Sequence, residues 1–219
     1  MKSETIAISG LPGAGNTTTA KILAKKLNLN YFSTGQLFKD IAKGTHKKQF
    51  YYKDLEILVH QHKLKIPNFS YTNESYAAAK LWKTDFGKSK VLHKVIDELQ
   101  VKLSKKGKIV IEGKLAVHMV KNASIKVWLK AQLKKRAERA VKRDSISILE
   151  AKSLINKRQE TERNEWKKIY GFDYLDQEKE ANLVIDTSSL TTKKVVDKII
   201  SVLYRKSYHF PSFNDFQYR

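Results

Sequence analysis

The stretch "TIAISGLPGAGNTTTAKILAKKL", Thr5 to Leu27, contains an apolar run, a glycine-rich turn and an amphipathic segment in direct succession. The β-branched start predicts a buried strand, and the apolar residues after the turn recur at helical spacing. Gly10, Gly13 and Gly15 have the spacing of a phosphate-binding loop, in which backbone N–H groups converge on phosphate oxygens. The helix that follows adds partial positive charge at its N-terminus. The stretch therefore predicts a site for the phosphates of a nucleotide.

Position 16 is where this stretch departs from the pattern G-x-x-x-x-G-K-[ST], because it carries Asn16 in place of lysine. Thr17 lies where a magnesium-binding hydroxyl belongs. Loss of one charge-assisted hydrogen bond costs about 1.5–3 kcal/mol. Loss of a donor that stabilises developing charge costs roughly 10²–10³ in rate. We therefore expect weakened nucleotide binding and a larger fall in turnover, unless a nearby arginine replaces part of the charge.

The composition is that of a globular protein. The chain has 219 residues, of which 41% are hydrophobic and 30% are charged, which fits one domain with a mobile subdomain. It has no cysteine, which excludes disulfides and thiolate metal sites. No apolar run approaches the roughly 20 residues that span a bilayer, and the N-terminus lacks a signal-peptide pattern. We expect a cytoplasmic monomer with no membrane association.

The formal net charge of +21 attracts polyanions such as nucleotides and RNA. Its lysines are spread along the chain, so a lysine-rich proteome or adaptation to salt or heat explains the charge equally well. Residues 44–90 interleave basic and aromatic side chains, as single-stranded nucleic acid binders do. Packing of those rings into a small core of their own is the favoured interpretation. Nucleic acid therefore stays open as a partner but is not favoured.

Apolar runs separated by helical patterns predict an α/β fold with a parallel sheet covered on both faces. A final amphipathic helix is predicted over 191–203. Long segments interrupt the alternation at 36–107 and 131–181, and the second of them is highly charged and mostly helical in pattern. The predicted strands are 5–9, 30–34, 108–113, 125–129 and 182–188.

Four stretches in this order resemble the archaeal-type cytidylate kinases, which are P-loop nucleoside monophosphate kinases. They are "ISGLPGAGNTTTAKILAKKL", "FSTGQLFKDIA", "GKIVIEGKLAVHMVKNASIKVWLKAQLKKRAERAVKR" and "IYGFDYLDQEKEANLVIDTSSLTTKKVVDKI". The resemblance implies a five-stranded parallel sheet flanked by helices, and transfer of a phosphoryl group from ATP, with Mg²⁺, to CMP or dCMP. It also implies a core (1–35, 108–130 and 182–207), an NMP-binding subdomain (about 36–107), a lid (about 131–181) and a tail (208–219).

The resemblance also implies roles for individual residues. ATP would contact Gly10, Leu11, Pro12, Gly13, Ala14, Gly15, Asn16, Thr17, Thr18 and Arg136. Magnesium would be held by Thr17 and Glu112. The acceptor nucleotide would contact Ser33, Gly35, Lys39, Asp97, Gly113 and Lys114. The catalytic cations would be Arg139, Arg158 and Arg163.

The departures from the family pattern fall at positions where the family has a cation in the site. Lys39 and Lys114 stand where the family has arginine, which keeps the charge but loses the bidentate fork. Asn16 and Glu165 do not keep the charge. The acidic residues of "QETERNE" (159–165) are interpreted as a solvated, salt-bridged helix face.

Two alternatives to a nucleoside monophosphate kinase stay open. One is a non-catalytic nucleotide sensor or RNA-associated protein on the same fold, and the other is an unrelated nucleotide hydrolase.

Overall fold

A computed structural model describes residues 4–69 and 80–208, with side chains as far as residue 205. Five parallel strands form one sheet in the order β2-β3-β1-β4-β5. The predicted sheet is confirmed, with strand ends that differ from the prediction by one or two residues. The strands are β1 (Thr5–Gly10), β2 (Asn30–Ser33), β3 (Ile109–Glu112), β4 (Ile125–Lys130) and β5 (Leu183–Asp186).

Helices cover both faces of the sheet. They are α1 (Asn16–Lys26), α2 (Thr34–Ala42), α3 (Tyr52–Gln61), α4 (Asp85–Lys88), α5 (Lys90–Lys106), α6 (Ala116–Met119), α7 (Leu133–Asp144), α8 (Ile148–Tyr170), α9 (Gln177–Glu180) and α10 (Thr192–Tyr208). Two 3₁₀ helices lie at His46–Lys48 and Tyr174–Asp176. None of these described helices is long and apolar enough to cross a membrane.

The core has two layers because successive strand residues point to opposite faces of the sheet. Ala7 of β1 packs with α2 and α5, whereas its neighbours Ile6 and Ile8 pack with α1 and α10. The predicted apolar stripe of the last helix is confirmed. Its members Val195, Val196, Ile199 and Leu203 are buried and Ile200 is partly buried against the same layer.

Serine hydroxyls begin several of these helices. Ser33, Ser89 and Ser147 each accept a hydrogen bond from the backbone N–H three residues on, which satisfies a first-turn donor of α2, α5 and α8. Gly171 ends α8 in a left-handed conformation with φ of 78°. Ser33 both ends β2 and begins α2, which places this hydroxyl at the edge of the sheet.

Two insertions extend from the sheet. We call residues 36–107 the first insertion and residues 131–181 the second insertion. In the second, α7 and α8 pack through Ala137, Ala140, Ala151 and Ile155. The insertions meet through aromatic rings, with ring centroids 5.3 Å apart for Trp82 and Trp166.

The rings of the basic-aromatic segment 44–90 pack largely inward. Tyr51 is buried, and Phe69, Trp82 and Phe86 are partly buried against the same core layer, whereas Phe50 is 53% exposed. The inward packing of these rings is as predicted, but the prediction of a core of their own is wrong, because they join the core layer that contains Ala7, Phe32 and Ile111 of the sheet. Part of that segment, residues 70–79, and the tail at 209–219 lie outside the described residues.

Candidate active site

The site lies at the edge of the sheet where all five strands end. The phosphate-binding loop follows β1, Ser33 ends β2, and Glu112 ends β3. The chain order reverses at β1, which lies between β3 and β4. Ligands of open parallel sheets bind in the crevice outside such a reversal point.

Carbonyl groups of the loop are held on the side away from the crevice. The carbonyl of Pro12 accepts a hydrogen bond from Arg136 Nη1 (3.3 Å), and that of Gly13 accepts one from Arg139 Nη1 (3.2 Å). The carbonyl of Ala14 accepts one from Thr187 Oγ1 (2.9 Å). With three successive carbonyls bound in this way, the free N–H groups at the start of α1 are available to an anion.

Glycine is required at two loop positions for different reasons. Gly15, the residue before α1, has φ of 98°, a left-handed conformation that glycine adopts without steric cost. A Cβ atom at Gly10 would lie 2.1 Å from the carbonyl oxygen of Leu129 on β4. The loop is therefore built on a close approach between β1 and β4.

Asn16 closes the loop on itself. Its Nδ2 donates to the carbonyl oxygen of Leu11 across 3.2 Å, and its Oδ1 is buried without a hydrogen-bond partner among the described residues. Thr17 and Thr18, in contrast, are exposed on the first turn of α1. Asn16 thus supports the loop conformation, while the hydroxyl in the metal-ligand position faces solvent.

Two arginines of α7 connect the second insertion to the loop. Arg136 is 6% exposed and also donates to Gln159 of α8 (3.0 Å). Arg139 binds Thr187 through both the hydroxyl (3.0 Å) and the carbonyl (2.6 Å). Arg143, one turn further, is instead paired with the adjacent Asp144 and lies away from the loop.

The ends of β2 and β3 form a second polar cluster. Ser33 donates to Glu112 Oε2 across 2.7 Å, and Tyr31 donates to the same oxygen across 3.3 Å. Burial and the charge of Glu112 raise the pKa of Tyr31, so it remains a neutral donor. Next to them, a Cβ atom at Gly113 would lie 2.4 Å from Thr34 Oγ1. Glycine at 113 lets the chain turn directly behind this carboxylate.

Lys114 follows and is bound by the second insertion. Its Nζ lies 2.7 Å from Glu162 Oε2, and each side chain is 20% exposed. Arg158 Nε donates to the other oxygen, Oε1, across 2.8 Å. Burial lowers the pKa of Lys114, opposed by the charge of Glu162. Burial would raise the pKa of Glu162, but Lys114 and Arg158 outweigh it and hold that pKa below its usual range.

Other predicted site residues lie apart from this cluster or are paired elsewhere. Lys39 and Gly35 are exposed on α2. Arg163 is paired with Asp173, and Glu165 with Lys168 on its own helix. Asp97 of α5 accepts from the hydroxyl of Tyr170 across 2.6 Å, and burial raises its pKa to about 7. Asp97 therefore marks the contact between the two insertions.

An open groove of about 770 Å³ lies beside the phosphate loop, beyond the end of β5. Its position next to Thr187 places it on the Arg139 side of the loop. It is lined by Gln132, Lys135, Asp186, Ser188, Ser189, Leu190 and Thr191.

Several functional residues were missed from sequence. Thr187 lies within the predicted strand "NLVIDTS" (182–188) and follows the observed strand β5, yet nothing local indicates that its hydroxyl reaches Ala14. The prediction that "QETERNE" is a solvated helix face is wrong for Glu162, which contacts Lys114 of the core. The sequence did indicate one partner of Glu162, because Arg158 and Glu162 have the i,i+4 spacing of paired charges on a helix.

This sheet, with a glycine-rich loop after its first strand and arginines clamped onto that loop, defines a P-loop kinase. The family model for the cytidylate kinase-like family matches residues 5–189. The chain belongs to the cytidylate kinase-like family of nucleoside monophosphate kinases.

Curated relatives cover nearly the whole chain. The cytidylate kinase of Methanocaldococcus jannaschii is 32% identical over 202 residues, which are 90% of this chain and 96% of that protein. The cytidylate kinase of Sulfolobus acidocaldarius is 34% identical over 206 residues, 93% of this chain and 96% of that protein.

Solved structures agree on the fold alone. An uncharacterised protein from Eubacterium ventriosum has a TM-score of 0.57 at 17% identity and covers 92% of this chain and 98% of its own. Shikimate kinase from Acinetobacter baumannii has a TM-score of 0.51 at 12% identity and covers 94% and 96%. The predicted P-loop kinase fold is thereby confirmed.

Proposed function

We propose that the protein transfers the terminal phosphoryl group of ATP to a cytidine monophosphate, CMP or dCMP, to give the diphosphate. The observation that carries this proposal is the phosphate loop, whose carbonyls are held outward by Arg136, Arg139 and Thr187. The names of the relatives support the base preference, and the cytoplasm is the proposed location. The first insertion would serve as the NMP-binding subdomain and the second as the lid.

The residues present fit a magnesium nucleotide. The first turn of α1 and the glycine turn offer N–H donors and the helix dipole to the β- and γ-phosphates. The groove lined by Lys135, Ser188 and Leu190 would receive the donor base. Thr17 and, through water, Glu112 would hold Mg²⁺, which supplies charge neutralisation on the transferring phosphate when bound.

On the acceptor side, Lys114 and Lys39 would bind the phosphate of the monophosphate, with Ser33, Gly35 and Gly113 shaping the turn around it. Asp97 lies where the two insertions meet and would contact the cytosine. Arg139 holds the loop from α7, and Arg158 and Arg163 would approach the transferring group as the lid closes. Such a reaction depends on positioning and charge more than on covalent catalysis.

Turnover is expected to be slow. The Asn16 amide is bound to Leu11 and supplies no cation to the phosphates. Arg158 and Arg163 are each paired with a carboxylate of their own insertion, so exchanging that partner for phosphate has a cost. These same observations favour a second candidate, a nucleotide- or RNA-binding protein with little or no turnover.

A phosphoryl-transfer assay separates the two candidates. The purified protein is incubated with ATP and Mg²⁺ and, separately, CMP, dCMP, UMP and AMP, and diphosphate formation is measured. We expect product with CMP and dCMP in preference to AMP. No product with any acceptor at high enzyme concentration, together with nucleotide or salt-dependent RNA binding, would establish the second candidate.

A further inference from the structure

One carboxylate joins the core to the second insertion at the centre of the site. Glu162 of α8 uses its two oxygens separately, Oε2 at 2.7 Å from Lys114 Nζ and Oε1 at 2.8 Å from Arg158 Nε. Lys114 belongs to the turn after β3, whereas Arg158 lies one helical turn before Glu162. A cation of the sheet edge and a cation of the insertion are therefore brought together by a single side chain.

Glu162 differs from the other paired acidic residues of α7 and α8, although Glu178 and Glu180 of α9 also reach cations of the core. Glu138 with Lys135 and Glu165 with Lys168 are pairs within one helix, at i,i+3 spacing. Glu162 is less exposed than either and reaches a different structural element. Glu160, two residues earlier, is exposed. A solvated helix face does not account for Glu162.

The turn that carries Lys114 is itself fixed by the second insertion. Gln177 of α9 donates to the Lys114 carbonyl across 2.8 Å, and the Lys114 ammonium lies 5.1 Å from the ring centre of Tyr174. Apart from its ion pair with Glu162, the Lys114 Nζ has no hydrogen-bond partner among the described residues. This Nζ atom is buried, and Glu162 leaves part of its hydrogen-bonding capacity unused. Glu112, at the end of β3, is a second carboxylate whose charge acts on this ammonium.

We propose that Glu162 is a positioning residue that bridges Lys114 and Arg158, so that closure of the second insertion presents both cations to the acceptor phosphate together. The proposal rests on the proposed function, because it names how that acceptor site is assembled. Glu162 acts through the two cations and does not itself touch the reacting atoms. The alternative role for Glu162 is that of a blocking carboxylate, which occupies the position of the acceptor phosphate and must leave before the acceptor binds.

Kinetics separate these two roles. In Glu162→Gln, we expect the KM for the acceptor to rise about tenfold or more, the lower end of what a charge-assisted hydrogen bond contributes, and the KM for ATP to stay within about twofold. Glu160→Gln removes the same charge from an exposed position on the same helix and should match the parent. Glu162→Asp should restore part of the loss. An acceptor KM that is unchanged or lower in Glu162→Gln would overturn the proposal.

A second measurement needs no nucleotide and so stands even if the parent proves inactive. Because the chain has no cysteine, spin labels can be placed through Lys25→Cys on α1 and Lys157→Cys on α8, both exposed. We expect the distance distribution between the labels to lengthen or broaden in Glu162→Gln but not in Glu160→Gln. Lys114→Met should change the distance distribution in the same way. The double variant Glu162→Gln with Lys114→Met should show no larger change than either single variant.

The two failures are distinguishable. Absence of product from the labelled parent contradicts the proposed function and leaves the distance measurement to decide on the bridge. A distance distribution in Glu162→Gln that overlays the parent contradicts the bridge, even when CMP is phosphorylated normally.

Discussion

The side-chain amide of Asn16 donates to the carbonyl oxygen of Leu11 across 3.2 Å, so this side chain points back into the phosphate-binding loop. The position that supplies a cation in related loops thus contributes a contact within the loop. The remaining positive charge near the loop comes from α7, where Arg136 and Arg139 bind its carbonyls from outside. These cations support the loop and leave the inner side of the turn to backbone N–H groups.

Asn16→Lys should raise the rate of phosphoryl transfer about a hundredfold, since one stabilising donor is worth roughly that factor. The measurement is kcat with ATP and CMP beside the parent. Asn16→Gln serves as the control, because it lengthens the side chain without adding charge and should give no gain. Nucleotide binding by Asn16→Lys with no gain in rate would point instead to a site that has lost further catalytic parts.

Arg139→Met should lower kcat/KM for ATP by about tenfold or more. It removes hydrogen bonds to Gly13 and Thr187, and each charge-assisted bond is worth about 1.5–3 kcal/mol before solvent screening. Arg143→Met is the matched control, because it removes the same charge one turn away, where the side chain is paired with Asp144. Equal losses in both variants would mean that overall charge, and not support of the loop, determines donor binding.

His93 should make the protein less stable in acid. Its ring is 2% exposed, its Nε2 lies 3.1 Å from the Gly87 carbonyl, and burial lowers its pKa to about 4. The unfolded chain, with a pKa near 6.5, binds the proton first, so stability is fully present above about pH 6.5 and falls as the pH drops towards 4. Between pH 7.5 and 5.0 this group should remove about 2 kcal/mol.

The check is urea denaturation of the parent and His93→Phe across that range. The difference in unfolding free energy between the two proteins should change by about 2 kcal/mol, whatever the absolute stabilities. A difference that stays constant with pH would mean that His93 does not titrate in this window.

Asp97 should act in the opposite direction. Burial raises its pKa to about 7, with the Tyr170 hydrogen bond opposing the rise, so the folded protein holds this proton more tightly than the unfolded chain. The stability that it contributes is present below the unfolded pKa and is lost as the pH rises through about 7. Relative to Asp97→Asn, the parent should therefore lose about 3 kcal/mol between pH 5 and pH 9 in denaturation experiments. A parent that gains stability relative to the variant over this range would contradict the assignment.

Local patterns explain why the sheet and the loop were predictable. Each strand is a short apolar run between turn residues, and the glycines of the loop have the spacing of a phosphate-binding loop. The contacts that complete the site are of another kind. Thr187 with Ala14 and Lys114 with Glu162 join residues far apart in the chain. The first contact depends on the order of the strands in the sheet, and the second depends on how the second insertion folds back.

Predictions for individual cations were limited in the same way, because they succeeded only where the position in the fold was fixed locally. Arg136 and Arg139 were assigned to the nucleotide site, and they lie at the loop because α7 begins directly after β4. The partner of Arg163 is Asp173, which lies beyond the end of α8 and which no periodicity in the sequence indicates. Assignments for residues near strand ends follow from topology, whereas those on long insertions depend on tertiary packing.

Attachment of α7 to the loop restricts how the second insertion can move. Arg136 and Arg139 tether this helix to Pro12, Gly13 and Thr187, whereas α8 begins only after a break at which Ser145 has a left-handed φ of 55°. An opening that preserves the tether would pivot at 144–147 and separate α8 from α7, which breaks the Arg136–Gln159 hydrogen bond and the apolar packing between the two helices. Under such a hinge, the phosphate-binding turn keeps its shape throughout the catalytic cycle, and only the acceptor side is assembled and dismantled.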